Sequence, residues 1–235
     1  MKNSLKTIFR PKSVAILGAS TNEEKIGGRP VRYLKHYGFD GPIYPVNPNA
    51  AEVQGLKAYK SILNIEGEVD LALIVLPAAL VIQGVRECAE KGVKSVVIFS
   101  AGFAETGNKG REAQLQMSRI AAQAGMRIVG PNCMGIAAFD HNMIITFGVS
   151  MLNMPPVLGP ISIVSQSGAF GSVAYAESRQ RQLGVRLWAT TGNEADVNVA
   201  DCLNYYVEDP ETKVIMMYFE ASRDGEKLVA GLKAA

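Results

Sequence analysis

Five short runs rich in β-branched and other apolar residues, at 13–17, 42–46, 71–76, 95–100 and 127–129, recur in the first part of this chain. Each run is almost continuously apolar instead of alternating, a pattern that requires burial on both faces of a sheet. The stretches at 28–37, 79–91 and 110–124 have the length and spacing of helices. Strands alternating with helices in this way predict an α/β unit with a doubly wound parallel sheet. Right-handed crossovers bring all strand C-terminal ends to one rim. The rim loops are then Gly18-Ala19-Ser20, Val46-Asn47-Pro48, Leu76-Pro77-Ala78, Ser100-Ala101-Gly102 and Gly130-Pro131-Asn132-Cys133, which together line one crevice.

A Pro-rich stretch, residues 154–160, follows, and then a second series of strands at 161–165, 185–190 and 213–219, with helical stretches at 168–182, 199–207 and 225–235. The division is expected at that stretch, with one domain over residues 1–150 and the first part of another over 160–235. The chain ends inside the last helical stretch, so the second sheet is expected to be incomplete and prone to self-association, giving a possible homo-oligomer.

Composition removes several function classes. The 24 Lys and Arg nearly balance 22 Asp and Glu, and no run of like charge suggests a nucleic-acid or membrane-surface partner. The longest apolar stretch, 69–85, is broken by Asp70, Pro77 and Gln83 and falls short of the ~20 residues of a bilayer span. The first residues lack an apolar signal core, so a cytoplasmic protein is expected. Cys88, Cys133 and Cys202 are odd in number and widely spaced, which predicts reduced thiols and neither a disulfide framework nor a metal site.

The first strand runs into Gly18-Ala19-Ser20 and, after a polar loop, Gly27-Gly28. Glycine here lets a nucleotide approach the backbone, and N–H groups at the next helix start suit phosphate. A tight turn without ligand is the other reading. The spacing is not GxGxxG, and the second strand ends in Val46-Asn47-Pro48 instead of the acidic residue that binds a dinucleotide's ribose, which disfavours NAD. Ser165-Gln166-Ser167-Gly168-Ala169 ends a strand and opens a helix, offering either an anion site or an ordinary serine cap worth ~1 kcal/mol.

Taken in order, Gly18-Ala19-Ser20, Pro45-Val46-Asn47-Pro48, Leu76-Pro77-Ala78, Ser100-Ala101-Gly102-Phe103 and Gly130-Pro131-Asn132-Cys133-Met134-Gly135, with the later SQSGA, resemble the succinyl-CoA synthetase alpha subunit. They resemble the ADP-forming acetyl-CoA synthetases more closely still. The resemblance covers almost the whole chain. It implies a Rossmann-like CoA-binding domain followed by an incomplete flavodoxin-like α/β domain, and the parent reaction acid + CoA + ATP = acyl-CoA + ADP + phosphate. CoA would lie over Gly18, Ala19, Ser20, Val46, Asn47, Pro48, Pro77, Ser100, Ala101 and Gly102, with Asn132 and Cys133 near its reactive end. Where the succinyl enzymes have a lysine after the second strand, this chain has Asn49 and Ala50; Lys25 or Arg29 would replace that charge, or are solvated. Cys133 is either a low-pKa nucleophile or a small residue shaping the thiol tunnel.

The resemblance also implies that Ser165, Ser167 and Gly168 cradle phosphate, and that Glu220 orients a phosphohistidine that neither His36 nor His141 matches. That histidine and the ATP-grasp (beta-type) domain or subunit are expected outside this sequence, so the chain alone is expected to be inactive as a ligase. The other classes in play are a stand-alone CoA-binding or regulatory module, the regulatory region of a fused acetyltransferase, and a nicotinamide-dependent oxidoreductase.

Overall fold

The computed structural model describes residues 5–235. After the short helix α1 (Lys6–Phe9), the first unit winds through β1 (Val14–Leu17), α2 (Arg29–His36), β2 (Ile43–Val46), a small hairpin β3 (Glu52–Val53) and β4 (Leu56–Lys57), β5 (Leu71–Ile74), α3 (Ala78–Lys91), β6 (Ser95–Ile98), α4 (Asn108–Gln123) and β7 (Arg127–Val129). The sheet order is β2-β1-β5-β6-β7 with every pairing parallel, as the continuous apolar runs require. All residues of β1, β5 and β6 are buried. Each fully buried Val, Leu or Ile stabilises the fold by roughly 1.5–3 kcal/mol.

The second sheet begins earlier than the sequence suggested. Strand pairing crosses the expected division at 154–160. An antiparallel hairpin, β8 (Gly135–Ala138) and β9 (Met143–Thr146), leaves the first sheet and adds to the second through β8 against Leu187–Ala189. After α5 (Ser150–Asn153) come β10 (Ile161–Ser165), α6 (Gly168–Gln180), β11 (Val185–Thr190), α7 (Val199–Val207), β12 (Val214–Tyr218) and α8 (Gly225–Ala234), and the order is β12-β10-β11-β8-β9. The Pro-rich stretch therefore joins two strands of one sheet. Helix starts follow local chemistry. Ser167 caps α6 by accepting from Phe170 N–H, Asn198 and Asp201 form a reciprocal capping box on α7, and Asp224 caps α8.

Polar ties lock the two sheets together. Tyr33 Oη and Arg29 Nη1 of α2 donate to the carbonyls of Gly148 (2.5 Å) and Phe147 (2.7 Å). Asp140 accepts from Arg10 at 2.7 Å and pairs with Arg186 at 3.0 Å, and Arg186 also holds Asp209 at 2.6 Å. Arg127 of β7 forks onto both oxygens of Asp196, a bidentate geometry only a guanidinium provides.

Candidate functional site

The five rim loops touch in sequence. Gly18 and Ala19 donate their N–H groups to Val46 O, and Asn47 Nδ2 returns a bond to Ala19 O at 2.8 Å. A Cβ on Gly18, whose φ is +85°, would lie 2.1 Å from Val75 O, so glycine is demanded here by a neighbouring strand. Ser100 Oγ donates to Leu76 O at 2.5 Å, and Asn132 N–H donates to Ser100 O at 3.0 Å. The rim is thus one continuous ledge from β2 to β7.

The ledge differs in detail from the sequence reading. Ser20 N–H is engaged with Gly27 O, and Gly28 and Arg29 N–H both close onto Lys25 O, so the turn after β1 offers few free donors. Ala19 and Val46 are buried and present no side chain to a ligand. Pro48, Pro77, Ala101 and Gly102 are exposed along the ledge. Pro77 starts α3 with no side-chain cap, which leaves the first N–H groups of that helix for an external acceptor. Arg29 is tied to Phe147 O instead of standing in solvent, while Lys25 is exposed.

At its β7 end the ledge opens into a cavity of about 900 Å³ between the two sheets. From the first unit come Phe99, Glu105, Arg111, Gln114, Leu115 and Ser118; the turn of the crossing chain adds Asn132, Cys133 and Met134. From the second unit come Gln166, Ser167, Gly168, Asn193, Glu194, Glu220 and Arg223. Of the expected site residues the cavity gathers Asn132, Cys133, Ser167, Gly168 and Glu220. Ser165 is buried behind it, its hydroxyl donating to Ser167 O at 2.7 Å, so it shapes the turn rather than facing the cavity. Neither His36 nor His141 lines the cavity; His36 is exposed at the end of α2, and His141 lies beside Asp140 on the turn after β8.

The chemistry of the lining is set by burial and hydrogen bonding. Cys133 Sγ is 3% exposed and donates to Ile98 O at 3.3 Å, and burial pushes its thiol up to about 12. Burial and a raised pKa disfavour a thiolate nucleophile here, and the side chain packs into the cavity wall. Glu105 accepts from Gly102 N–H at 2.5 Å, from Phe103 N–H at 3.1 Å and from the Asn193 amide. Burial would raise its carboxyl, but the Asn193 and backbone hydrogen bonds outweigh that and lower it. Asn193 also donates to Gln114 Oε1 at 3.1 Å and accepts from Asn132 at 3.3 Å, bridging the two units.

Glu194 is 7% exposed at a φ of +56°, and burial raises its carboxyl against the lowering effect of three hydrogen bonds and the Arg223 charge. A buried carboxylate in left-handed backbone on a cavity wall is a candidate functional position. The sequence reading did not single it out. It missed Glu105, Arg111, Gln114 and Ser118 entirely, although Arg111, Gln114, Leu115 and Ser118 share one face of α4 by their helical spacing.

A doubly wound sheet with a glycine turn, an open ledge over its strand ends and a cavity at the neighbouring helix start defines an α/β protein that takes an extended, nucleotide-bearing ligand. Residues 12–138 match the CoA binding domain family, to which the chain belongs, and residues 158–235 match the succinyl-CoA ligase like flavodoxin domain. Among its relatives is the alpha subunit of acetate–CoA ligase [ADP-forming] II of Pyrococcus furiosus, 41% identical over 94% of this chain and 47% of that protein. Another is trans-feruloyl-CoA synthase FCS1 of an unknown prokaryotic organism, 39% identical over 97% of this chain and 32% of that protein.

Among solved structures, the dinucleotide forming acetyl-coenzyme A synthetase 1 of Ca. Korarchaeum cryptofilum in complex with phosphate and ADP superposes with a TM-score of 0.90 at 35% identity, over 98% of this chain and 49% of that one. The chain thus spans about half or less of the length of these proteins. The resemblance drawn from GPNCMG and SQSGA is borne out, as are the Rossmann-like and flavodoxin-like units. Among the described residues no helix is long and apolar enough to cross a membrane.

Proposed function

We propose that this chain is the CoA-binding portion of an ADP-forming acid–CoA ligase, catalysing acid + CoA + ATP = acyl-CoA + ADP + phosphate together with an ATP-grasp partner or domain. The observation that carries this reading is the continuity of the ledge with the cavity. A long ligand laid over Gly18, Ser20, Asn47, Pro77 and Ser100 arrives at Asn132 and Cys133 with its far end between the two units. The exposed residues Pro48, Ala101 and Gly102 flank that path, and the uncapped start of α3 supplies donors for a diphosphate.

Ser167 and Gly168 at the start of α6 and Glu220 after β12 line the same cavity. This arrangement suits a phosphoryl group at the helix end and an imidazole held by the carboxylate, which would keep one ring nitrogen protonated and free the other as nucleophile. Three buried thiols fit a reducing, cytoplasmic setting. A stand-alone binding module has no use for a second unit whose helix start and strand end face the same cavity.

Calorimetric titration with CoA and, separately, with NAD tests the reading. Saturable binding of CoA alone is expected. Binding of NAD alone, or of neither ligand to a chain whose unfolding is cooperative, would refute it.

A further inference from the structure

The turn that carries Glu220 is held by one side chain, Gln166, which sits between the two serines at the end of β10. Its Oε1 accepts from Glu220 N–H at 2.6 Å and from Ala221 N–H at 3.1 Å. Its Nε2 donates to Ala221 O at 2.6 Å and to Glu194 Oε2 at 2.8 Å. A primary amide has two donor hydrogens and two acceptor lone pairs, and here all four are used. The other Glu194 oxygen, Oε1, accepts from Thr191 Oγ1 at 2.9 Å and from Val199 N–H at 2.9 Å, the latter at the start of α7 where the helix favours negative charge.

This pattern fixes a direction. Turning the Gln166 amide over would set its –NH2 against two backbone N–H groups, and its oxygen against the Ala221 carbonyl and the Glu194 carboxylate. Every contact would become donor against donor or acceptor against acceptor. The acceptor-only carboxylate of Glu194 and the backbone groups at 220–221 therefore demand the same orientation of the amide, which couples the carboxylate to the turn.

We propose that Glu194 and Gln166 are positioning residues for Glu220, the buried carboxylate of Glu194 orienting the Gln166 amide and that amide fixing the backbone turn from which Glu220 enters the cavity. The role given to Glu220 rests on the ligase reading above; the coupling of the three residues does not. Gln166 stands in the SQSGA stretch whose serines drew attention for phosphate, yet its side chain is engaged by Glu194 and by the turn after β12. Glu194 has left-handed backbone, and its carboxylate meets both Gln166 and the start of α7.

The test is residue-resolved amide hydrogen exchange on the chain as it is, at one fixed pH, with variants at both positions. Glu194→Gln places an –NH2 against the Gln166 –NH2, so exchange at the Glu220 and Ala221 amides should rise at least tenfold while amides of β5 and β6 stay protected. Gln166→Glu alone sets two carboxylates together and should raise the same two rates. In the double variant the introduced carboxylate accepts from the introduced amide and, with its other oxygen, from Glu220 and Ala221 N–H, and only the Ala221 carbonyl loses its donor. Protection at both amides should rise above that of either single variant, a partial rescue that loss of packing alone would not give.

Unchanged exchange at 220 and 221 in folded Glu194→Gln, or a double variant no better protected than either single one, would overturn the proposal. Should Glu194→Gln not fold, Gln166→Leu reads the same contact, and protected amides at 220 and 221 in that variant would overturn it equally. CoA titration of the unaltered chain is the separate control: lack of binding there removes the ligase reading and leaves the exchange result to decide the coupling.

Discussion

Gly192 offers a direct measure of how tightly the two units are seated on each other. Its φ is +57°, and a Cβ there would lie 2.4 Å from the carbonyl oxygens of both Pro131 and Asn132, in the turn where the chain crosses between sheets. Gly125 has a similar φ of +65° with nothing within 4 Å of the same position. Alanine at either site carries the left-handed backbone cost, about 1 kcal/mol. Only at 192 must it also displace a neighbouring backbone, adding about 1–3 kcal/mol of overpacking.

For a chain of this size, 1 kcal/mol moves the midpoint by about 2–4 °C. Gly125→Ala should therefore lower Tm by about 2–4 °C and Gly192→Ala by about 5–15 °C on the same scale. Differential scanning calorimetry of both variants reads the difference, and CoA titration should show weakened binding only for Gly192→Ala because its loop walls the cavity. Equal Tm shifts in the two variants would refute the reasoning, since the contact at the crossing turn would then contribute nothing.

All three cysteines should resist an aromatic disulfide reagent in the native chain at pH 8 and react only on denaturation; a fast thiol assigned to Cys133 would contradict its raised pKa and its role as a wall residue. Asp209 is lowered below its ordinary value of 3.8 because, against the raising effect of burial, hydrogen bonds from Arg186 and Thr212 favour the charged form. Its folded pKa lies below the unfolded one, so its contribution is full above about pH 4 and is lost as pH falls through the folded value. Asp209→Asn should thus be less stable than the unaltered chain at pH 7 and show a shallower loss of stability below pH 4, measured by urea unfolding at each pH; parallel curves would contradict this. Replacing both His36 and His141 with alanine should leave CoA affinity unchanged in calorimetry, since neither lines the cavity.

The first sheet was legible because each strand is a closed apolar run with a glycine, proline or polar residue at its end, and parallel burial leaves no other use for such runs. Residues 143–146, Met-Ile-Ile-Thr, carry the same signal and could have been read as a strand. What hid the hairpin was its partner: β8 is short, with Gly135 and two alanines, and pairs with residues 187–189, some fifty positions on, a distance over which local pattern says nothing. Asn132, Ser167 and Gly168 were found in motifs at strand ends and a helix start, whereas Glu220 came only from the family resemblance. Arg111 and Gln114 were not, because on the sequence they are an ordinary polar helix face, and only the second unit packed opposite makes that face a wall. Glu194 was hidden for a related reason: its burial depends on Gln166, Thr191 and the start of α7 converging from three segments.

The chain passes from one sheet to the other through Gly130 to Met134, and that passage is bonded to the 191–195 loop by Asn193 N–H to Pro131 O and Ala195 N–H to Gly130 O, both at 2.9 Å. Asn132, Cys133 and Met134 of that passage also line the cavity. The covalent seam between the two units and the wall a ligand would meet are thus the same few residues, so a change to one is a change to the other.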